Sequence, residues 1–173
     1  PLHDALPICH VLHDSLLLLA VINPLGNIPV YVSLTQGMKP AERRNVFNLA
    51  VFTAAGLVMF FAIVGDYALR NVFQVTLADF QVAGGILLFV VAARGVLSGQ
   101  SQYVSNAKDY ESLALFPLAF PIIVGPGTMA VTILIAQQAG EWNVLATASL
   151  TFLIVWMLVH GSPHLNRALG RLG

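Results

Sequence analysis

Charge is what this chain has least of. Lys, Arg, Asp and Glu make up 9% of its 173 residues, against about a quarter in an average soluble domain. So few charges cannot cover the surface of a soluble fold of this length. Cysteine is nearly missing too. Cys9 stands alone, which excludes an internal disulfide framework and a cysteine-based metal cluster. The eight basic residues balance eight acidic ones and form no stripe, which argues against nucleic acid as a partner. Enzyme signatures are absent: there is no HExxH, no GxSxG and no P-loop. No enzyme activity and no cofactor is therefore expected. No carboxylate lies deep in an apolar run, so a buried Asp or Glu proton relay is also excluded.

What is present is apolar. The hydrophobic fraction is 57% and the mean hydropathy is +0.80. The partner these numbers imply is the lipid bilayer. A helix needs about 20 apolar residues to cross the hydrocarbon, and five runs qualify: 11–34, 46–65, 75–96, 113–138 and 142–160. They are continuous rather than alternating, which excludes a strand barrel. The expectation is an all-α polytopic membrane protein.

Residues 1–10 show no helical period and no signal-peptide pattern. They are read as a non-native scar and set aside. The rest divides into a three-helix repeat at 11–97, a cytoplasmic linker at 98–112, and a second repeat at 113–173 that stops before its last helix. Seven of the eight basic residues fall on one side of this arrangement: Lys39, Arg43, Arg44, Arg94, Lys108, Arg167 and Arg171. Only Arg70 falls on the other. Cytoplasmic loops carry the excess, so the N-terminus is expected outside and the Gly173 end inside.

Two of the five runs are interrupted. The first contains Asn23-Pro24-Leu25-Gly26-Asn27-Ile28-Pro29, and the fourth contains Gly125-Pro126-Gly127-Thr128. Pro126 cannot donate a backbone hydrogen bond. Gly125 and Gly127 leave peptide N–H groups uncovered. A helix restarting near Thr128 presents a partial positive charge at mid-membrane, where an anionic group such as a carboxylate is favoured. In the first break, Asn23 and Asn27 offer amides, Gly26 lets a ligand approach, and Pro29 suits a restarted helix. A lone break reads as a kink with glycines for tight packing, and the two Asn side chains then serve only the freed peptide groups. A pair of breaks at matching depth reads as a transporter site. With an offset of 102 residues, Pro24 falls on Pro126 and Gln36 on Gln138. Three spans per repeat is an odd number, so the second repeat enters from the opposite side. This gives a 3+3 inverted repeat, five spans of six, with two broken helices.

The remaining polar residues are read as supporting ones. His10, His13 and Asp14 beside Cys9 resemble a metal cluster, but most of it falls in or beside the stretch set aside. His160 and His164 have i,i+4 spacing, yet Gly161 and Pro163 between them argue against a continuous helix, so interfacial side chains are expected and no metal site. Asp66 and Asp79 are read as solvated loop charges. Gly84-Gly85 is read as a close helix contact, and Trp142 and Trp156 as interface or packing residues.

The runs NPLGNIPVYVSLTQGM, FQVAGGILLF and PLAFPIIVGPGTMAVTIL together resemble the MarC family of bacterial inner-membrane proteins, over about residues 12–173. The resemblance implies six spans in two inverted repeats and a kinship with amino-acid exporters, some of whose relatives carry small neutral amino acids such as alanine and glycine. The expected function is transport of such a solute by alternating access, with a non-transporting scaffold or stress-linked partner-binding protein as the alternative. Oligomeric state, coupling ion and direction are not legible.

Overall fold

The computed structural model describes residues 7–98 and 110–169. Among these residues the chain is helical apart from short breaks and connections, and contains no strand. Lys108 and Arg171, both used in the charge count, lie outside the described residues, as does most of the 98–112 linker.

Helix α1, Pro7–Ile22, is followed by the short α2, Ile28–Leu34. α3, Pro40–Tyr67, continues as a π-helical turn, Ala68–Val72. α4 spans Leu77–Ser98. α5, Tyr110–Leu113, runs into a π-helical stretch, Ala114–Ile123. α6 is Pro126–Ala139 and α7 is Glu141–Leu169.

Local chemistry explains most of these limits. α1 starts at Pro7, inside the stretch set aside as non-periodic. Proline suits a first helical turn because the N–H it lacks has no helical acceptor there. α3 starts at Pro40, where the Lys39 amide donates to Glu42 Oε2 at 2.9 Å, a capping box in outline. Thr76 and Asp79 do the same for α4: the Thr76 amide donates to Asp79 Oδ2 at 2.9 Å and the Asp79 amide donates to Thr76 Oγ1 at 3.2 Å. Asp79 is thus a capping residue. Gly140 alone separates α6 from α7 and adopts φ +85°, a left-handed conformation glycine enters without penalty.

α7 corrects one expectation. It runs on through Gly161 and Pro163 to Leu169. A proline removes one ladder bond and crowds the preceding turn, yet the helix continues past it.

α3 and α7 form the centre. α3 packs on α6, α7 and the stretch after α5, while α1 packs on α7 and α6, and α4 on α6. The inward stripe of α3 is Val46, Ala50, Ala54, Val58, Ala62 and Gly65, all buried. Its spacing of three or four residues and small side chains let neighbouring backbones approach closely, as membrane helices require. At Gly65 a β-carbon would stand 2.6 Å from Ile133 Cγ1 of α6. Polar ties reinforce the bundle. Trp156 Nε1 donates to Asn48 Oδ1 at 2.9 Å, Ser15 Oγ donates to the Thr147 carbonyl at 3.4 Å, and Gln137 donates to Asp66, which also holds Arg70 at 2.7 Å.

The outside is apolar. Phe52 is 67% exposed and Phe89 73%, so the large side chains that water would drive inward face outward here. Among the described residues, two helices are long and apolar enough to cross a membrane, Pro40–Val72 and Glu141–His160. The pair Glu111–Ile123 and Pro126–Ala139, bent by 61°, makes a third if it is one span. Ile8–Ile22 is a shorter apolar helix. Membrane embedding thus stands.

Candidate functional site

Both interruptions expected from the sequence are present, and each is built from its own residues. α1 ends at Ile22. Asn23 turns the chain with φ +46°, a left-handed conformation that Asn enters more readily than most side chains. Its Oδ1 accepts from the Gly26 amide at 3.1 Å, and its carbonyl accepts from the Asn27 amide at 3.2 Å. Asn27 Nδ2 reaches back to the Ile22 carbonyl at 3.1 Å, and the Ile28 amide donates to the Leu25 carbonyl. Gly26 is glycine because a β-carbon there would overlap the Asn23 carboxamide. Pro24 is buried and Pro29 lies in the first turn of α2.

The second break is more open. The helix before it ends at Ile123, and Gly125 is extended, at φ −93° and ψ 177°. Pro126 begins α6 and no side chain caps it. The amides of Gly127 and Thr128 fall in the first turn, where a helix has no carbonyl of its own to offer. Thr128 Oγ1 donates to the Ile123 carbonyl at 3.2 Å, and Thr132 Oγ1 donates to the Thr128 carbonyl at 2.8 Å. Thr128 and Thr132 are buried, whereas Gly127 is exposed.

The breaks share a local design. In each, a polar side chain five residues beyond the last helical carbonyl bonds back to it: Asn27 to Ile22, and Thr128 to Ile123. Those pairs are 101 residues apart, one off the offset at which the prolines align. They are also neighbours. A β-carbon on Gly127 would stand 3.6 Å from Val21 Cγ1, so the first turn of α6 lies against the last turn of α1. From the other side, Gly84 of α4 meets the Pro126 ring with no room for a β-carbon.

A cavity of about 550 Å³ opens beside the first break, between α2, the start of α3 and the end of α7. Of the nine candidate residues, only Pro24 lines it. The second break lies outside it. Its polar lining includes Tyr31, Thr35, Arg43, Arg44, Asn45 and His160. The sequence had placed Arg43 and Arg44 among loop charges and His160 at the interface, and had not marked Tyr31. These residues come from three separate elements, and their spacing along the chain carries no signal of their meeting. No group of three or more His, Cys, Asp or Glu suited to a metal occurs among the described residues.

A family model described as MarC family integral membrane protein matches residues 8–173. The chain belongs to the MarC family. The match covers almost everything described here, including both breaks. Among relatives, a UPF0056 membrane protein of Archaeoglobus fulgidus is 32% identical over 90% of this chain and 77% of its own length. One from Aquifex aeolicus is 33% identical, with the same coverage. The UPF0056 membrane protein YvbG of Bacillus subtilis is 29% identical over 93% of this chain and 81% of its own. No solved structure matches. The MarC chain is accordingly a multi-pass integral membrane protein.

Proposed function

We propose that this MarC family protein moves small neutral amino acids across a bacterial inner membrane by alternating access. In this reading the helices form five spans of a six-span, 3+3 inverted repeat, with the N-terminus outside. The solute's carboxylate meets the amides of Gly127 and Thr128. The first break, from Asn23 through Pro24, Gly26 and Asn27 to Pro29, forms the facing wall, and Gly125 and Pro126 set the direction of α6. Gly127, with Val21 beside it, leaves room for a small side chain only.

One observation carries the reading: two interrupted helices meet at Val21 and Gly127. Broken helices that meet near the bilayer midplane are how transporters combine a polar site with a lipid-facing exterior. The matched back-bonds of Asn27 and Thr128 support an internal repeat. The rival reading, a scaffold without transport, draws on the same bonds, because Asn23 and Asn27 consume most of the peptide groups of the first break.

Uptake of labelled alanine into proteoliposomes of the full-length gene product tests the proposal. Uptake is expected with the wild type and lost with Gly127→Leu, which drives a side chain into Val21. Normal uptake by that variant removes the site. A thermal-shift series with glycine, alanine, serine and larger amino acids separates the readings, since a scaffold gains no stability from any of them.

A further inference from the structure

Among the described residues, four buried side-chain polar atoms lack a hydrogen-bond partner: Tyr31 Oη, Arg43 Nε, Thr147 Oγ1 and His160 Nε2. Three of the four belong to residues lining the cavity of about 550 Å³. An unpaired buried polar group is destabilising, and natural structures hold few of them. Three around one cavity is a concentration that packing alone does not explain.

Each group has its surroundings fixed. Tyr31 is 5% exposed and its ring meets Phe47 edge-on at 5.9 Å. Its hydroxyl has no hydrogen-bond partner. Arg43 is anchored by a single bond, from Nη2 to the Thr35 carbonyl at 3.4 Å, which leaves Nε free. His160 is stacked on Trp156, and its Nδ1 lies 2.9 Å from the Trp156 carbonyl. A carbonyl only accepts, so Nδ1 carries the proton and Nε2 remains to accept from a ligand or to be protonated and donate. Arg44 adds a second guanidinium to the lining.

Among the described residues, two Arg line the site and no Asp or Glu does. The ammonium of a zwitterion would find no counter-charge among them. The rest of the wall, Phe47 and Leu158 among it, is apolar. We infer that this cavity binds an oxyanion carried on an apolar body, with the anion at Arg43 and Tyr31 and the body along Phe47 and Leu158. Arg forks match carboxylate and phosphate geometry equally well, so the oxyanion is a water-soluble carboxylate or the headgroup of an anionic lipid. The inference is independent of which solute crosses the membrane.

The test uses the full-length gene product in nanodiscs of phosphatidylcholine, with hexanoate, hexylamine and hexanol as probes of equal length and different charge. Hexanoate is expected to raise the unfolding midpoint while hexylamine and hexanol do not. Arg43→Gln should weaken hexanoate binding about tenfold, the value of one charge-assisted hydrogen bond. Tyr31→Phe keeps the ring on Phe47 and is expected to weaken binding without lowering the unliganded midpoint. A second set of discs containing phosphatidylglycerol distinguishes the sources. If the anionic lipid stabilises the wild type but not Arg43→Gln, and hexanoate no longer adds to it, the headgroup is the ligand. If hexanoate still binds, the soluble anion is. Equal shifts from all three probes overturn the inference. So does an Arg43→Gln protein that responds like the wild type, or a wild type stabilised by neither hexanoate nor phosphatidylglycerol.

Discussion

Gly84 of α4 rests directly on the Pro126 ring at the start of α6, with no space for a β-carbon between them. Its neighbour Gly85 has nothing within 4 Å of the corresponding position. Only one glycine of the pair is therefore required. Gly84→Ala forces α4 off the second break, and overpacking of this kind costs about 1–3 kcal/mol. Gly85→Ala removes backbone freedom without a clash and should leave stability unchanged or slightly raised. Thermal unfolding of the two variants in detergent checks the asymmetry. Equal midpoints would mean that α4 does not seat on Pro126.

Thr128 gives the second prediction. Its hydroxyl is buried and holds the Ile123 carbonyl across the break. Thr128→Val keeps the shape and strands that carbonyl in an apolar setting. Side-chain hydrogen bonds inside membrane proteins average about 0.6 kcal/mol with maxima near 1.7, and the stranded carbonyl places this one toward the upper end. A loss of about 1 kcal/mol is expected in reversible unfolding. Thr128→Ser retains the donor and should recover most of it. If valine and serine behave alike, the hydroxyl is not what closes the break.

These features differ in how far the sequence revealed them. The breaks were legible because proline and glycine act locally: Pro24 and Pro126 mark the ends of α1 and the start of α6 to within a few residues. The close contact at Gly84-Gly85 was legible as a pair, but not which member makes it, since that depends on the rotation of α4 about its axis. The π-helical turns at Ala68–Val72 and Ala114–Ile123 carry no marker that sequence reading recognises. The helical course through Gly161 and Pro163 ran against their usual meaning as helix breakers. The cavity was hidden because Tyr31, Arg43 and His160 meet only through the packing of α2, α3 and α7. A basic loop residue and an interfacial histidine look the same in sequence whether or not they line a cavity.

Orientation yields a third prediction, and the single thiol supplies the probe. Cys9 is exposed near the start of α1, and the proposed topology puts it on the side opposite the basic cluster at Lys39, Arg43 and Arg44. If basic residues mark the cytoplasmic face, a membrane-impermeant maleimide should label Cys9 from outside intact spheroplasts. A cysteine placed at Gly37, in the connection before α3, should react only after the membrane is opened. The reverse pattern would invert the topology and put the cavity near Arg43 on the external face.

The last prediction addresses the meeting of the two breaks. Val21 Cγ1 lies 3.6 Å from where a β-carbon on Gly127 would stand, and the β-carbon of Val21 is one bond further on. Disulfides form when β-carbons are about 3.5–4.5 Å apart, so small helix movements bring this pair within reach. With Cys9 replaced by serine, a Val21→Cys, Gly127→Cys protein should cross-link within one chain under mild oxidation. A Val21→Cys, Gly85→Cys protein should not, because Gly85 faces open space. The cross-link also ties the last turn of α1 to the first turn of α6. If alternating access moves one repeat against the other, that tie should stop alanine uptake, and reduction should restore it. A cross-linked protein that transports at the normal rate would show that these two ends travel together, and the moving boundary would then lie elsewhere in the bundle.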